Sequence, residues 1–395
     1  MGIGSGVSGL LVSVLLHGIE HLAYGYSSGS FLDAAAAAPP ARRVIALGIA
    51  GIVGGLGWWT LRRWGRAVVP VEASVAGARM PRLVTVANAA LQIVIVGLGA
   101  SIGRELAPRE LGALIAGWLS ERTGLTARQR RVLVACGAGA GLAAVYNVPL
   151  GGAVFALEVL LGELSLTTAL TALATAAIAT LFVDLIAPTG PIYTLPAVTP
   201  TPTLLVWSLL AGPVIGFAAV GFLTTTRTAV LNRISGKWIL VIMPAVFLAV
   251  GLLSIPFPAL LGNGRALGQV AFDATSPLLI LGALLLVKAL ATTGTIFSGA
   301  AGGTLTPSLA LGATLGAILG TLWSAIWPGA PIAAFALVAA SAFLASSMRA
   351  PLTALILVAE FTAQGWTLLL PSMVAIVGSL AISHLFHYRR IAGVP

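Results

Sequence analysis

Long apolar runs, broken by glycine, proline and short clusters of arginine, set the pattern of this chain. In order they cover residues 6–24, 44–59, 83–98, a stretch ending at Leu119, 132–145, 149–161, 166–186, 204–222, 238–253, 278–291, 309–327, 331–344, 351–358 and 368–386. Their apolarity is continuous rather than alternating, so each predicts a helix and a membrane β-barrel is excluded. Several fall short of the about 20 residues that a helix needs to cross a bilayer. Backbone that breaks off at membrane depth is tolerated only where protein covers it or it lines a cavity, so the short runs predict broken helices.

Composition agrees with the pattern. Hydrophobic residues make up 58% of the 395 positions and charged residues 8%, with a mean hydropathy of +1.04, whereas a soluble domain is about a quarter charged. The chain reads as an all-α polytopic membrane protein, a single transmembrane domain over 1–395 with no soluble domain. Its net charge of +10 resides in short connections between runs, which predicts topology signals rather than nucleic-acid binding. Clusters at 62–66, 122–131 and 227–237, with Arg389 and Arg390, predict cytoplasmic connections and cytoplasmic termini in a prokaryotic inner (plasma) membrane. Arg42 and Arg43 are exceptions to this bias. The first run has no basic leader segment or cleavage site and reads as a retained span. The single Cys136 allows no intrachain disulfide. Trp58, Trp59, Trp64 and Trp366 flank runs and predict an aromatic belt, and His384 and His387 predict an interfacial cap.

One stretch interrupts the apolar order. Residues 99–113, GASIGRELAPRELGA, set Arg104, Glu105 and Glu110 among glycines and aliphatic side chains. An ionised carboxylate there must meet a cavity, a partner or a bound ion, or stay protonated, which makes Glu105 a candidate functional residue. The alternative is a solvated interfacial loop. An internal repeat bears on the choice. GRELAPRELGA at 103–113 matches GTLTPSLALGA at 303–313, a shift of 200 (303 − 103), and NVPLGGAVFALEV at 147–159 matches RAPLTALILVAEF at 349–361, a shift of 202 (351 − 149). The repeat halves are about 1–190 and 200–390. The first copy runs into a basic loop and the second into the uncharged Trp327-Pro328-Gly329-Ala330, so the copies are expected to face opposite ways, with many short, broken and tilted helices. Such inverted repeats place cargo at mid-membrane against the N-termini of interrupted helices, whose dipoles favour an anion.

These motifs carry a resemblance. GREL at 103–106, followed in step by Gly112, resembles the GREGP filter motif of the CLC family of chloride channels and proton-coupled chloride transporters. GGTLTPSLALGA at 302–313 is similar to that family's GGxFxPxLxLGA motif, and NVPLGGAVFALE and RAPLTALILVAE resemble its two remaining proline-led segments. The resemblance implies a homodimer in the lipid bilayer with one pore per subunit, chloride or another small anion as cargo, and no cofactor, metal or nucleic acid. It implies that Glu105 is the gate competing with the anion. The filter falls on Gly103, Arg104, Leu106 and Ala107, on Thr304, Leu305 and Thr306, and on Ala67, Val68 and Val69. No room is left before Pro395 for the cytoplasmic nucleotide-binding domain pair of some relatives.

Departures from the family's motifs sharpen the reading. Aligning Pro70 with the proline of the GSGIP segment removes the serine hydroxyl. Leu106 and Ala107 stand for Gly-Pro, and Leu305 stands for a phenylalanine. Relatives that exchange protons have a second glutamate where this chain has Val159, which cannot carry a proton; Glu158 and Glu163 are substitute relay candidates. Passive conduction is therefore the first expectation and proton-coupled antiport the second. Glu360, the repeat partner of Glu158, reads as a hydrogen-bonded buried carboxylate. Tyr388 lies near the position of the family's central tyrosine, but its surroundings do not match and it is not assigned. An enzymatic rival rests on His17, Glu20 and His21, which fit the H-x-x-E-H pattern of a zinc peptidase. With no clear third ligand, an interfacial helix end is the preferred reading of that stretch.

Overall fold

Each apolar run folds largely as a helix, and several of the helices extend past their runs into flanking polar residues. The computed structural model describes residues 1–188, 190–364 and 367–391, with side chains through residue 386. Trp366 and the side chains of His387, Tyr388, Arg389 and Arg390 lie outside the described residues.

In chain order the α-helices are α1 (Gly2–Tyr24), α2 (Phe31–Ala37), α3 (Pro40–Trp64), α4 (Val71–Val75), α5 (Arg82–Gly97), α6 (Leu106–Arg122), α7 (Ala127–Tyr146), α8 (Pro149–Phe155) and α9 (Leu166–Ile186). There follow α10 (Pro202–Leu231), α11 (Ile239–Leu253), α12 (Arg265–Asp273), α13 (Leu278–Phe297), α14 (Leu305–Ser324), α15 (Ile332–Met348), α16 (Pro351–Thr362) and α17 (Leu369–Ile391). α8 passes directly into a π-helical turn, Ala156–Leu161. Local chemistry sets several starts. Proline occupies a first-turn position in α3, α8, α10 and α16, where its missing N–H costs no helical bond. Thr126 and Gln129 form a capping box at the N-terminus of α7. Among the described residues, eight helical segments are long and apolar enough to cross a membrane, and α5, α15 and α16 are shorter apolar helices, as the broken runs predict. The protein is an all-α, multi-pass membrane protein.

Contacts divide the chain into two compact units, one of residues 1–190, 233–263 and 295–303, the other of 191–232, 264–294 and 304–395. In the first, α6 and α7 cross at Gly112 and Gly137, where facing backbones leave no space for a methyl group.

Backbone geometry bears the mark of the repeat. Gly99 (φ +104°) and Gly299 (φ +103°) both adopt the left-handed conformation that glycine takes without strain, 200 residues apart. Asn147 (φ 54°) and Arg349 (φ 53°) do the same 202 residues apart, each two residues before the proline that opens α8 or α16.

Arginine side chains close several helices. Arg42 donates from Nε to the Ala23 carbonyl (2.7 Å) and from Nη2 to the Leu22 carbonyl (2.9 Å), at the C-terminus of α1. Arg43, buried, donates from Nη1 to the Ser254 carbonyl (2.7 Å), just beyond α11. Orphan carbonyls and the negative dipole end favour a cation at these positions. This accounts for the two residues that break the charge bias: both act as helix caps. Replacing Arg42 with methionine is expected to lower stability by about 1 kcal/mol, the scale of a typical net hydrogen bond, because the site is exposed. Denaturant titration in mixed micelles measures it, and an unchanged midpoint would exclude the capping role.

Candidate functional site

The site is built on the loop between α5 and α6, within the first unit. A string of main-chain contacts fixes that loop. Tyr24 Oη donates to the Leu98 carbonyl (3.0 Å), and the Gly262 N–H donates to the Gly99 carbonyl (2.9 Å). Gly103 and Gly303 then exchange N–H to carbonyl bonds in both directions (2.8 and 3.0 Å), forming an isolated antiparallel bridge. The glycines that the repeat aligns thus pair with each other. α6 starts three residues after Gly103, and α14 starts two residues after Gly303.

Glu105 sits at the N-cap of α6 and is completely buried (0% exposed). Its carboxylate lies against both paired glycines, where a Cβ on either residue would collide with it. Absence of side chains at 103 and 303 is therefore what gives Glu105 its place. The solvated-loop alternative is overturned by this burial. Arg104 stacks on the Tyr146 ring, 5.2 Å from its centroid, and its Nε is buried without a hydrogen-bond partner. Ala107 is buried and Leu106 half-buried.

The other filter positions have different settings. Thr304, half-buried, occupies the N-cap position of α14 without a side-chain capping bond, and Leu305 and Thr306 are buried in the first turn, all in the second unit. Ala67 is exposed and Val68 and Val69 are half-buried. Ala67 and Val69, with Arg79, Arg82 and Glu121, line an open basin of about 360 Å³. Glu158 and Val159 are half-buried in the π-helical turn, a form that recurs at functional sites, and Arg131 Nη2 closes that turn on the Leu161 carbonyl (2.8 Å).

A polar network missed in the sequence lies on the other side of α6. Glu110, 2% exposed, accepts from Asn88 Nδ2 at both carboxylate oxygens (3.1 and 2.9 Å) and from Gln92 Nε2 at Oε2 (3.1 Å). Asn88 Oδ1 in turn accepts from Trp58 Nε1 (2.9 Å). Trp58 is thus not part of an aromatic belt: it is 1% exposed and serves the core. Trp64 is 68% exposed. Arg109 donates from Nη2 to Glu72 Oε1 (3.2 Å), lies 4.4 Å from the Phe155 ring centroid, and interacts electrostatically with Glu72, Glu105 and Glu110 together. A sequence signal existed in Asn88 and Gln92, two amides one turn apart on one helix face inside an apolar run. Lys288, fully buried in α13, was likewise absorbed into a run; it stands 200 residues after Asn88, the repeat shift.

The metallo-enzyme rival finds little in the geometry. His17 Nδ1 lies 2.8 Å from the Ser13 carbonyl, Glu20 accepts from Tyr26 Oη (3.2 Å), and the His21 ring packs edge-on to Tyr26. Among the described residues no group of three His, Cys, Asp or Glu side chains is placed to hold a metal.

Comparison with known proteins identifies the family. The profile of the family described as "Voltage gated chloride channel" matches residues 50–384. A voltage-gated ClC-type chloride channel, ClcB, of Escherichia coli O81 is 30% identical over 395 residues, covering 96% of this chain and 93% of its own. ClcB of Citrobacter koseri is 29% identical, covering 91% and 90%. Among solved structures, a slow cyanobacterial Cl-/H+ antiporter superposes with a TM-score of 0.81 at 22% identity, covering 99% of this chain and 96% of its own. A CLC-type fluoride/proton antiporter gives 0.71 at 23% identity, covering 97% and 95%. By the extent of the profile match, and by a fold shared with these structures, the chain belongs to the CLC family of voltage-gated chloride channels.

Proposed function

We propose that this protein carries chloride, or another small anion, through a pore gated by Glu105, and that it conducts passively. The observation that carries the reading is the reciprocal pairing of Gly103 with Gly303 beside a wholly buried carboxylate. A negative group held against two bare glycine backbones marks a place with room for a negative ion, and the two would compete for it. Main-chain N–H groups at Arg104, Leu106, Ala107, Thr304, Leu305 and Thr306 would supply the coordination, with Gly103, whose own N–H is taken by Gly303, and 67–69 as further lining; replacing those side chains alters pocket size while keeping donors. Val159 supports passive conduction, because no proton can bind there. The protein would work as a homodimer in a prokaryotic inner membrane, with its arginine-rich connections and its termini in the cytoplasm.

A second reading, proton-coupled antiport, is favoured by the buried Glu110 on the same helix as Glu105 and by the solved relatives described as antiporters. Reversal potentials in liposomes under opposed chloride and pH gradients separate the two. Passive conduction is expected to give a potential that follows chloride alone. A shift with pH that fits a fixed proton-to-anion ratio would replace it with antiport.

A further inference from the structure

We propose that Glu110 is a proton-binding site, loaded from the arginine-rich side of the membrane, whose protonation favours the anion near Glu105. The inference rests on the anion-transport reading for its effect on flux, but not for the binding of the proton.

The first argument is the hydrogen-bond inventory around the carboxylate. An indole N–H only donates, so the Trp58 bond fixes Asn88 with Oδ1 toward Trp58 and Nδ2 toward Glu110. Asn88 is thus a permanent donor suited to the ionised carboxylate. Gln92 is different. It donates from Nε2 to Glu110, while its Oε1 is buried and without a partner. When Glu110 takes a proton it gains an O–H that needs an acceptor, which Asn88 cannot provide because Trp58 holds its oxygen. Inverting the Gln92 amide brings its unused oxygen to the new O–H. Charged and neutral Glu110 are then both satisfied, with one amide fixed and the other turning. A carboxylate that only holds the core together needs no such second arrangement.

The second argument is position. Glu110 lies five residues beyond Glu105 along α6, about 7.5 Å further toward the arginine-rich end and about 140° around the axis at 1.5 Å and 100° per residue. From that side a basin of about 830 Å³, lined by Glu72, Glu121, Arg79, Arg128, Arg130 and Arg131, reaches the Glu72 carboxylate, which holds Arg109. A proton from water in the basin adds to one Glu110 oxygen, giving a neutral carboxyl and leaving no other product.

The third argument is charge. The groups acting on Glu110 are Arg109 on its own helix and Glu72 on α4, besides the two amides of α5. Of the other elements packed against α6, α1 carries His17, Glu20 and His21, α5 carries Arg82, and α7 carries Arg128, Arg130 and Arg131. Arg109 is paired with Glu72 and near enough to Glu105 and Glu110 to feel the charge of both. Neutralising Glu110 removes one negative charge from this set, so the field felt by an anion beside Glu105 becomes more positive.

Two measurements on the full-length protein test the proposal. In infrared difference spectra of reconstituted protein between neutral and acid pH, the wild type is expected to gain a carboxylic C=O band that Glu110→Gln lacks, and Asn88→Leu, which removes the fixed donor to the charged form, is expected to move that band's midpoint to higher pH. In patches with pH varied on the arginine-rich side, anion current is expected to rise as pH falls, by up to about tenfold per pH unit for one proton, and Glu110→Gln is expected to flatten the profile. Wild-type and Glu110→Gln spectra with the same bands would overturn the proposal, as would an Asn88→Leu midpoint that does not move. A flat wild-type current alongside the expected bands removes the link to flux. A complete lack of anion current at any pH defeats the transport reading instead, with the spectra still deciding whether Glu110 binds the proton.

Discussion

Replacing Glu105 with glutamine is expected to leave an anion conductance that no longer changes with voltage, or with pH on the side opposite the arginine clusters. The side chain keeps its size and position at the N-cap of α6 but can no longer ionise. In the proposed mechanism the Glu105 carboxylate, which lies against Gly103 and Gly303, competes with the transported anion for that place. Two unit charges about 5 Å apart repel by roughly 3 kcal/mol at an effective dielectric constant of 20, which is about a hundredfold in relative occupancy. On the proposed gating that repulsion would couple the gate to the anion, and glutamine removes it. Voltage-clamped bilayers containing the purified variant provide the measurement. A current–voltage curve that keeps the wild-type rectification would take Glu105 out of the gating role.

Glu105 was readable in the sequence because it breaks a local rule: a charge in an apolar, glycine-rich run has no stabilising reason to be there. The glycine repeat was readable for a related reason, since spacing survives where side-chain identity does not. Gly99 and Gly299 share a left-handed backbone although the residues around them differ. What periodicity and hydropathy could not supply was which polar groups find each other. Asn88 and Gln92 look like minor interruptions of an apolar helix until Glu110 arrives from α6 and Trp58 from α3. Trp58 and Trp59 are neighbours in sequence, yet Trp58 faces inward, toward Asn88. Charge counting misled at Arg42 and Arg43 because it treats every arginine as a topology signal, whereas these two are engaged by helix carbonyls. The extent of the helices was misjudged for the same reason. A hydropathy run stops at the first charge, but a helix continues while its arginines extend to the interface, as α3 does from Pro40 to Trp64.

Gly303→Ala is expected to act through Glu105 rather than through the backbone. Gly303 is outside the left-handed region, so alanine meets no conformational penalty there. Its methyl group instead enters the volume held by the Glu105 carboxylate. Overpacking of this kind costs about 1–3 kcal/mol, and the strain is relieved most easily by pushing the carboxylate away. The single variant is therefore expected to show both lowered stability and weakened gating, in the direction of Glu105→Gln. The cause is separable by a double-mutant cycle. Shortening the gate with Glu105→Ala empties the contested volume, so Gly303→Ala added to that background is expected to cost at least about 1 kcal/mol less than it does in the wild type, the scale of coupling between residues in contact. Denaturant titrations of the four proteins in mixed micelles give the coupling. Additive costs would mean that the methyl group disturbs something other than the gate, and that the bare backbone at 303 is needed for its pairing with Gly103 alone.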